Sequence, residues 1–180
     1  MQYKTMKSRD FFETISTPCL GENSRPRVAA FGLRTPYNIG NIIRIADNVG
    51  CNEVIFINDL PVFEESKIRK TAEASYDSGI WHFRTKNQFF SSLPKNCELV
   101  AIETATNSES IYDTILPEQP VFILGNELQG IEDDVINRCK KVVHIPLCGN
   151  YKSMNVSHAL AICLFEWQRQ MIFKKKINME

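Results

Sequence analysis

The sequence contains no Cys-x-x-Cys pair, no long apolar run, no phosphate-binding glycine signature and no excess of either charge. Its six cysteines, Cys19, Cys51, Cys97, Cys139, Cys148 and Cys163, stand at long, irregular gaps. That spacing argues against a zinc site and against a disulfide framework, and for reduced thiols in a cytoplasmic protein without a metal. No stretch approaches the ~20 apolar residues of a membrane helix, and the opening MQYKTMKSRDFFETIS lacks the apolar core of a secretory signal. Neither G-x-G-x-x-G nor G-x-x-x-x-G-K-[ST] occurs, which removes support from a dinucleotide-binding Rossmann domain and from a P-loop NTPase. The absence of G-x-S-x-G does the same for an esterase-type nucleophile elbow. The 21 basic residues match 21 acidic ones, so a nucleic acid would have to be held by local clusters. Lys67, Arg69 and Lys70 form one such cluster and Lys174, Lys175 and Lys176 another, although each also reads as a solvated helix face.

What is present is the composition of one soluble domain: 180 residues, 43% hydrophobic and 23% charged. After Pro26 the pattern alternates between short apolar runs and helical spacing. Strands are expected at 27–33, 53–58, 80–84, 98–103, 120–124 and 142–145. Helices are expected from Ile39 to a stop at Gly50, at 65–74, 87–93 and 131–139, and from about Asn155 into the lysine tail. Residues 1–26 read as an accessory segment with a short helix near 8–15, and residues 27–180 as the main domain. Short apolar strands alternating with helices predict an α/β fold, a mainly parallel sheet with helices on both faces. Ligands of such sheets sit beyond the carboxyl ends of the strands. Three polar, glycine-bearing segments follow the strands at 27–33, 120–124 and 142–145.

The first segment runs from Thr35 to Arg44 (TPYNIGNIIR). Asn38 suits a helix N-cap. Gly40, in the first helical turn, costs stability relative to alanine, which is accepted where a backbone or a ligand approaches closely. Arg44 falls off the Ile39, Ile42 and Ile43 stripe, either aimed at the top of the sheet or simply exposed. The second segment, Leu124 to Gly130 (LGNELQG), opens a strand into a loop with two glycines and one carboxylate. There Gly125 is a place for a ligand to lie against the backbone, and Asn126 and Glu127 are placed to fix a polar group, unless the loop is an ordinary turn. The third, Ile145 to Ser157 (IPLCGNYKSMNVS), carries Ser153 and Asn155, both capable of capping the final helix.

Together the segments resemble the three motifs of the SpoU branch of the SPOUT methyltransferases: Asn38-x-Gly40-x-x-x-Arg44, then Gly125-Asn-Glu127-x-x-Gly130, then Ile145-Pro146 with Ser153-Met-Asn155-Val-Ser157. The order and the placement after strands match, over roughly residues 27–173. The resemblance implies a parallel α/β domain with a C-terminal deep trefoil knot, S-adenosylmethionine (SAM) bound bent within it, and a homodimer whose site is completed by the second subunit. It implies 2′-O-methylation of ribose in tRNA or rRNA, with the ending Phe165-Glu-Trp-Gln-Arg-Gln170 closer to tRNA-acting members. It places Arg44 at the 2′-hydroxyl, Asn38 as bracing Arg44 or contacting RNA, Glu127 as the carboxylate that orients Arg44 or a polar group of the substrate, and Ser153 and Asn155 as closing the site. The cofactor is expected near Ile102, Gly125, Ile145, Leu147 and Ser153, of which Ile102 enters only by alignment of a strand end. A guanidinium does not surrender its proton near neutrality, so Arg44 is read as an anchor for the neighbouring phosphate that also stabilises the developing alkoxide. Met154 and His158 depart from the residues common at those positions. Two other readings remain open at this level: an RNA-binding module without catalysis, and a methyltransferase acting on a base.

Overall fold

The structure is a computed structural model, and it describes residues 3–15, 25–58 and 63–177. Part of the accessory segment expected at 1–26 therefore lies outside the described residues. Within it, α1 (Ser8–Thr14) forms where a short helix is expected but contributes no buried residue.

Seven parallel strands make one sheet: β1 (Arg27–Phe31), β2 (Glu53–Ile57), β3 (Trp81–Arg84), β4 (Glu98–Ile102), β5 (Glu109–Ser110), β6 (Pro120–Leu124) and β7 (Lys141–His144), in the order β3-β2-β1-β6-β4-β7-β5. The two-residue edge strand β5 was not expected, because so short a polar pair carries no periodicity. Alternate residues of each central strand point to opposite faces. Val28, Ala30, Phe56, Phe122 and Leu124 join one core with the helices at 36–49 and 156–177, while Ala29, Phe31, Ile55, Val121 and Ile123 join a second with Phe89 and Val135. This is why the strand sequences are apolar throughout instead of alternating.

Helix α2 (Pro36–Val49) starts at Thr35, whose hydroxyl accepts the Asn38 N–H at 3.3 Å. Pro36 follows in the first turn, and Gly50 ends the helix in the left-handed region at φ 76°. The cap is therefore Thr35, and Asn38 is released for another task. Gly40 faces α3 (Glu65–Ala72): a Cβ there would lie 2.6 Å from Thr71 Cβ and 2.8 Å from the Ile68 carbonyl. Of the two reasons considered for that glycine, backbone approach is the one realised.

The helix expected at 65–74 stops at Ala72, and a 3-10 helix (Glu73–Ser78) follows. The break is at Glu73, a non-glycine residue at φ 53°, ψ −131°, a conformation that costs about 1–3 kcal/mol. Helix α4 (Lys86–Ser92) begins with a capping box between Thr85 and Gln88. The helix expected at 131–139 is only a single turn, α5 (Asp133–Ile136), because Val135 is the one apolar residue there that reaches full burial. Helix α6 (Val156–Ile177) buries Leu160, Cys163, Leu164, Trp167 and Met171 along one stripe. The Trp167 indole N–H donates to the Pro117 carbonyl at 3.0 Å, and the Gln170 amide bridges Leu116 N–H and the Thr114 carbonyl at 2.9 Å each. These bonds hold the segment after β5 against the last helix. Strand β7 lies between β4 and β5, although both precede it in the chain. Among the described residues, no helix is long and apolar enough to cross a membrane.

Candidate active site

A cavity of about 420 Å³ opens at the carboxyl ends of β4, β6 and β7. Its apolar wall is Ile102, Leu124, Ile145 and Leu147, and its polar rim includes Glu103, Glu127 and Ser153. The volume falls in the ~300–1,000 Å³ range of small-molecule sites. All five positions expected near the cofactor (Ile102, Gly125, Ile145, Leu147 and Ser153) line this cavity, as do Glu127 and Asn155. Strands β4 and β6 each end on an apolar residue, Ile102 and Leu124, before the chain turns polar, while β7 ends at His144 and the apolar Ile145 and Leu147 follow it.

One polar chain ties the three motif segments together. The buried Asn38 donates through Nδ2 to Glu127 Oε1 at 2.7 Å and accepts at Oδ1 from Asn155 Nδ2 at 3.0 Å. Glu127 Oε2 accepts the Arg34 backbone N–H at 3.2 Å. Asn155 Oδ1 takes the Ser157 backbone N–H at 2.8 Å and the Ser157 hydroxyl at 2.7 Å. Asn155 is thus the N-cap of α6 and a network member at once; the two readings of it were not alternatives. Ser153 lines the cavity, exposed, and caps nothing.

Within one chain neither residue hydrogen-bonds Arg44: Glu127 bonds Asn38 and Arg34, and Asn38 bonds Glu127 and Asn155. Arg44 lies two turns further along α2, outside the cavity lining, and pairs with Glu73 at 3.0 Å, with side-chain exposures of 48% and 63%. The helical period explains this, because Gly40 and Arg44 are one turn apart and share the side that faces α3. Gly125 lines the cavity and also has a structural reason to be glycine. A Cβ there would meet the Gly130 carbonyl carbon at 2.1 Å and Ile131 N at 2.4 Å, so the chain's own returning loop fills that space. The loop is shaped by Asn126, whose Oδ1 accepts the Leu128 and Gln129 N–H groups at 2.8 and 2.7 Å.

Glu103 was missed by the sequence reading. It follows β4 directly, lines the cavity, and accepts the Thr104 N–H at 2.8 Å and the Ile131 N–H at 3.2 Å. A carboxylate immediately after an apolar parallel strand was the available signal. Tyr151 and Lys152 also line the cavity, and Lys152 Nζ donates to the Leu147 carbonyl at 2.6 Å, closing its loop. His158 is exposed and does not line the cavity. In the first basic cluster, Lys67 pairs with Glu64 at 2.7 Å, and Arg69 pairs with Asp77 at 3.1 Å while covering the Tyr76 ring. In the tail, Lys174 pairs with Glu118.

Residues 25–165 match the model of the SpoU rRNA Methylase family. The 23S rRNA (guanosine-2′-O-)-methyltransferase RlmB of Nitrosomonas europaea is 28% identical over 170 residues, covering 94% of this chain and 62% of the relative. The RlmB of Blochmanniella floridana is 31% identical over 140 residues, covering 77% and 55%. The chain thus spans about three-fifths of the length of the curated relatives it matches. Among solved structures, an AdoMet-bound rRNA methyltransferase from Sinorhizobium meliloti superposes with a TM-score of 0.74 at 23% identity, over 82% of this chain and 57% of that one. A protein described for 2-OH methylation of C/U34 on tRNA does so with a TM-score of 0.74 at 21% identity, over 83% and 98%. These two likenesses establish the shared fold. The matched span contains all three segments joined by the Asn38–Glu127–Asn155 chain, and the protein belongs to the SpoU rRNA Methylase family.

Proposed function

We propose that the chain transfers a methyl group from S-adenosylmethionine to a ribose 2′-hydroxyl of structured RNA. The observation that carries this reading is the hydrogen-bonded chain Asn38–Glu127–Asn155, which gathers the three motifs beside one cavity. The cavity suits the cofactor: its apolar wall matches an adenosine, and the carboxylates Glu103 and Glu127 on its rim complement a cation. Ile102, Gly125, Ile145, Leu147 and Ser153 would hold it. When bound, S-adenosylmethionine supplies an electrophilic methyl on a sulfonium that leaves as a neutral thioether, so no general acid is needed.

The chain's residues then have to align the hydroxyl and dispose of its proton. Transfer of that methyl to the ribose oxygen would release the hydroxyl proton to water or to an RNA phosphate oxygen. Glu127 fixes the Asn38 amide, and Asn155 holds the other side of that amide while capping α6. Because Arg44 stands outside the cavity of its own chain, its role at the RNA phosphate belongs to the cavity of a second copy, which supports a homodimer. Ser153 closes the cavity rim.

The position of β7 between β4 and β5, with α6 then held by the 114–117 segment, supports a trefoil knot at the C-terminal part. The curated relatives are named for 23S rRNA and so lend no support to the tRNA preference read from the ending of α6. Unpaired thiols at Cys51, Cys97, Cys139, Cys148 and Cys163 support a cytoplasmic setting. The test is incubation with methyl-labelled S-adenosylmethionine and, separately, total tRNA and rRNA, followed by mapping of the methyl by mass spectrometry. Methyl on a ribose is expected. Label on a base, or tight RNA binding with no transfer, would overturn the reading.

A further inference from the structure

We propose that Glu73 is a positioning residue for Arg44: its carboxylate pre-sets the guanidinium for an RNA phosphate, leaving the remaining N–H groups free to take that phosphate. This rests on the reading of Arg44 as the phosphate anchor. Four observations converge on it. Arg44 Nη1 lies 3.0 Å from Glu73 Oε1, and the pair is half exposed, so an incoming RNA can reach the guanidinium. Glu73 occupies φ 53°, ψ −131°, a strained backbone for a residue with a side chain, and strain of this kind gathers where a side chain must be aimed. The same turn is pinned to α2 one step further on, where the Ser75 hydroxyl donates to Asp47 Oδ2 at 2.7 Å. The distance between α2 and α3 is set by Gly40, which admits Thr71 and Ile68 closer than any Cβ allows. Spacing, clamp and strain thus all serve to fix the position of one carboxylate beside one arginine.

A structural ion pair at this exposure contributes little to folding, and a glycine at position 73 would relieve the backbone. Arginine has a flexible stem and five donors in a rigid fork, so tethering one edge of the fork reduces the orientations it samples without using up its donors.

The test is a steady-state comparison of wild type, Glu73→Gln, Glu73→Ala, Glu73→Gly and Arg44→Ala, on the RNA that the wild type methylates. For Glu73→Ala, kcat should fall about tenfold through lost alignment. KM for RNA should stay level or drop, because a negative charge facing phosphate is gone. Glu73→Gln, which keeps a hydrogen-bond acceptor, should retain an intermediate kcat. Glu73→Gly should melt higher than wild type yet turn over as slowly as Glu73→Ala, a split that a merely structural role does not produce. Wild-type kcat in Glu73→Ala alongside an inactive Arg44→Ala would overturn this inference alone. An active Arg44→Ala would instead overturn the role of Arg44 on which it rests.

Discussion

Replacing Asn38 by aspartate tests the polar chain that unites the site. The side chains are isosteric, so the substitution changes charge and donor capacity and little else. Asn38 Nδ2 lies 2.7 Å from Glu127 Oε1, and in Asn38→Asp two carboxylates would face each other across that gap. Unit charges 4 Å apart at an effective dielectric of 20 repel by about 4 kcal/mol. Glu127 is exposed, and screening reduces the repulsion to about 1–2 kcal/mol. The lost charge-assisted hydrogen bond adds about 1.5–3 kcal/mol. A total of about 2.5–5 kcal/mol lowers Tm by about 5–20 °C for a domain of this size. The deficit depends on pH with a defined sign. The facing carboxylates bind one proton more tightly when folded than when unfolded. Their pKa as a pair is therefore raised above the unfolded value of about 4, and the stabilisation this gives is present at low pH and lost as pH rises through the folded value. Below it, the protonated oxygen donates to Glu127 as the amide does. Thermal denaturation of wild type, Asn38→Asp and Asn38→Ala from pH 4.5 to 8 should show the Asn38→Asp deficit growing with pH while that of Asn38→Ala stays flat. Parallel curves for the two variants would refute the Asn38–Glu127 contact.

Further outcomes follow from other contacts. Gly125→Ala puts a Cβ 2.1 Å from the Gly130 carbonyl carbon, with only backbone available to yield, so it should lower Tm by more than 10 °C or prevent soluble expression. Trp167 is fully buried. Trp167→Ala should therefore cost about 3–5 kcal/mol in a denaturant titration, whereas Phe165→Ala on the exposed side of α6 should cost under about 1 kcal/mol. Arg44→Ala should abolish methylation, with S-adenosylmethionine affinity by calorimetry within about twofold of wild type, since the residue is assigned to the RNA phosphate and not to the cofactor. Burial pushes the Cys51 and Cys163 thiols up to about 12, so neither offers a thiolate at pH 8. Peptide mapping after brief alkylation should find Cys148, which is exposed, modified well before either.

Much of the fold was legible because the apolar runs and their breaks report the sheet directly. The strand at 120–124 is expected at its observed ends, and the last helix, expected from about Asn155, starts at Val156. The end of α3 was not, because nothing in Glu73-Ala-Ser forbids a helix; the break is imposed by packing against α2. The stretch expected as a helix at 131–139 keeps only one helical turn, although Ile131, Ile136 and Cys139 still pack on the core beside Val135. At the site, the residue types pointed to the lining. Which partner each side chain chose did not follow, because hydrogen-bond pairing between segments some 90 to 117 residues apart is fixed only when the sheet brings them together. Arg44 is the clearest instance: its spacing from Asn38 was visible, but the helical twist that turns it toward α3 instead of Glu127 becomes decisive only once α3 is in place.

The slot occupied by β7 has a consequence for biosynthesis. Until residues 141–144 leave the ribosome, β4 presents an unsatisfied parallel edge and β5 has no neighbour to pair with, a state that invites mispairing between nascent chains. The cavity wall contributed by Val143, Ile145 and the 151–156 stretch does not yet exist either. Occupancy by a small ligand is therefore a property that only finished, correctly inserted molecules can acquire, and a cell rich in that ligand would draw late folding forward by mass action.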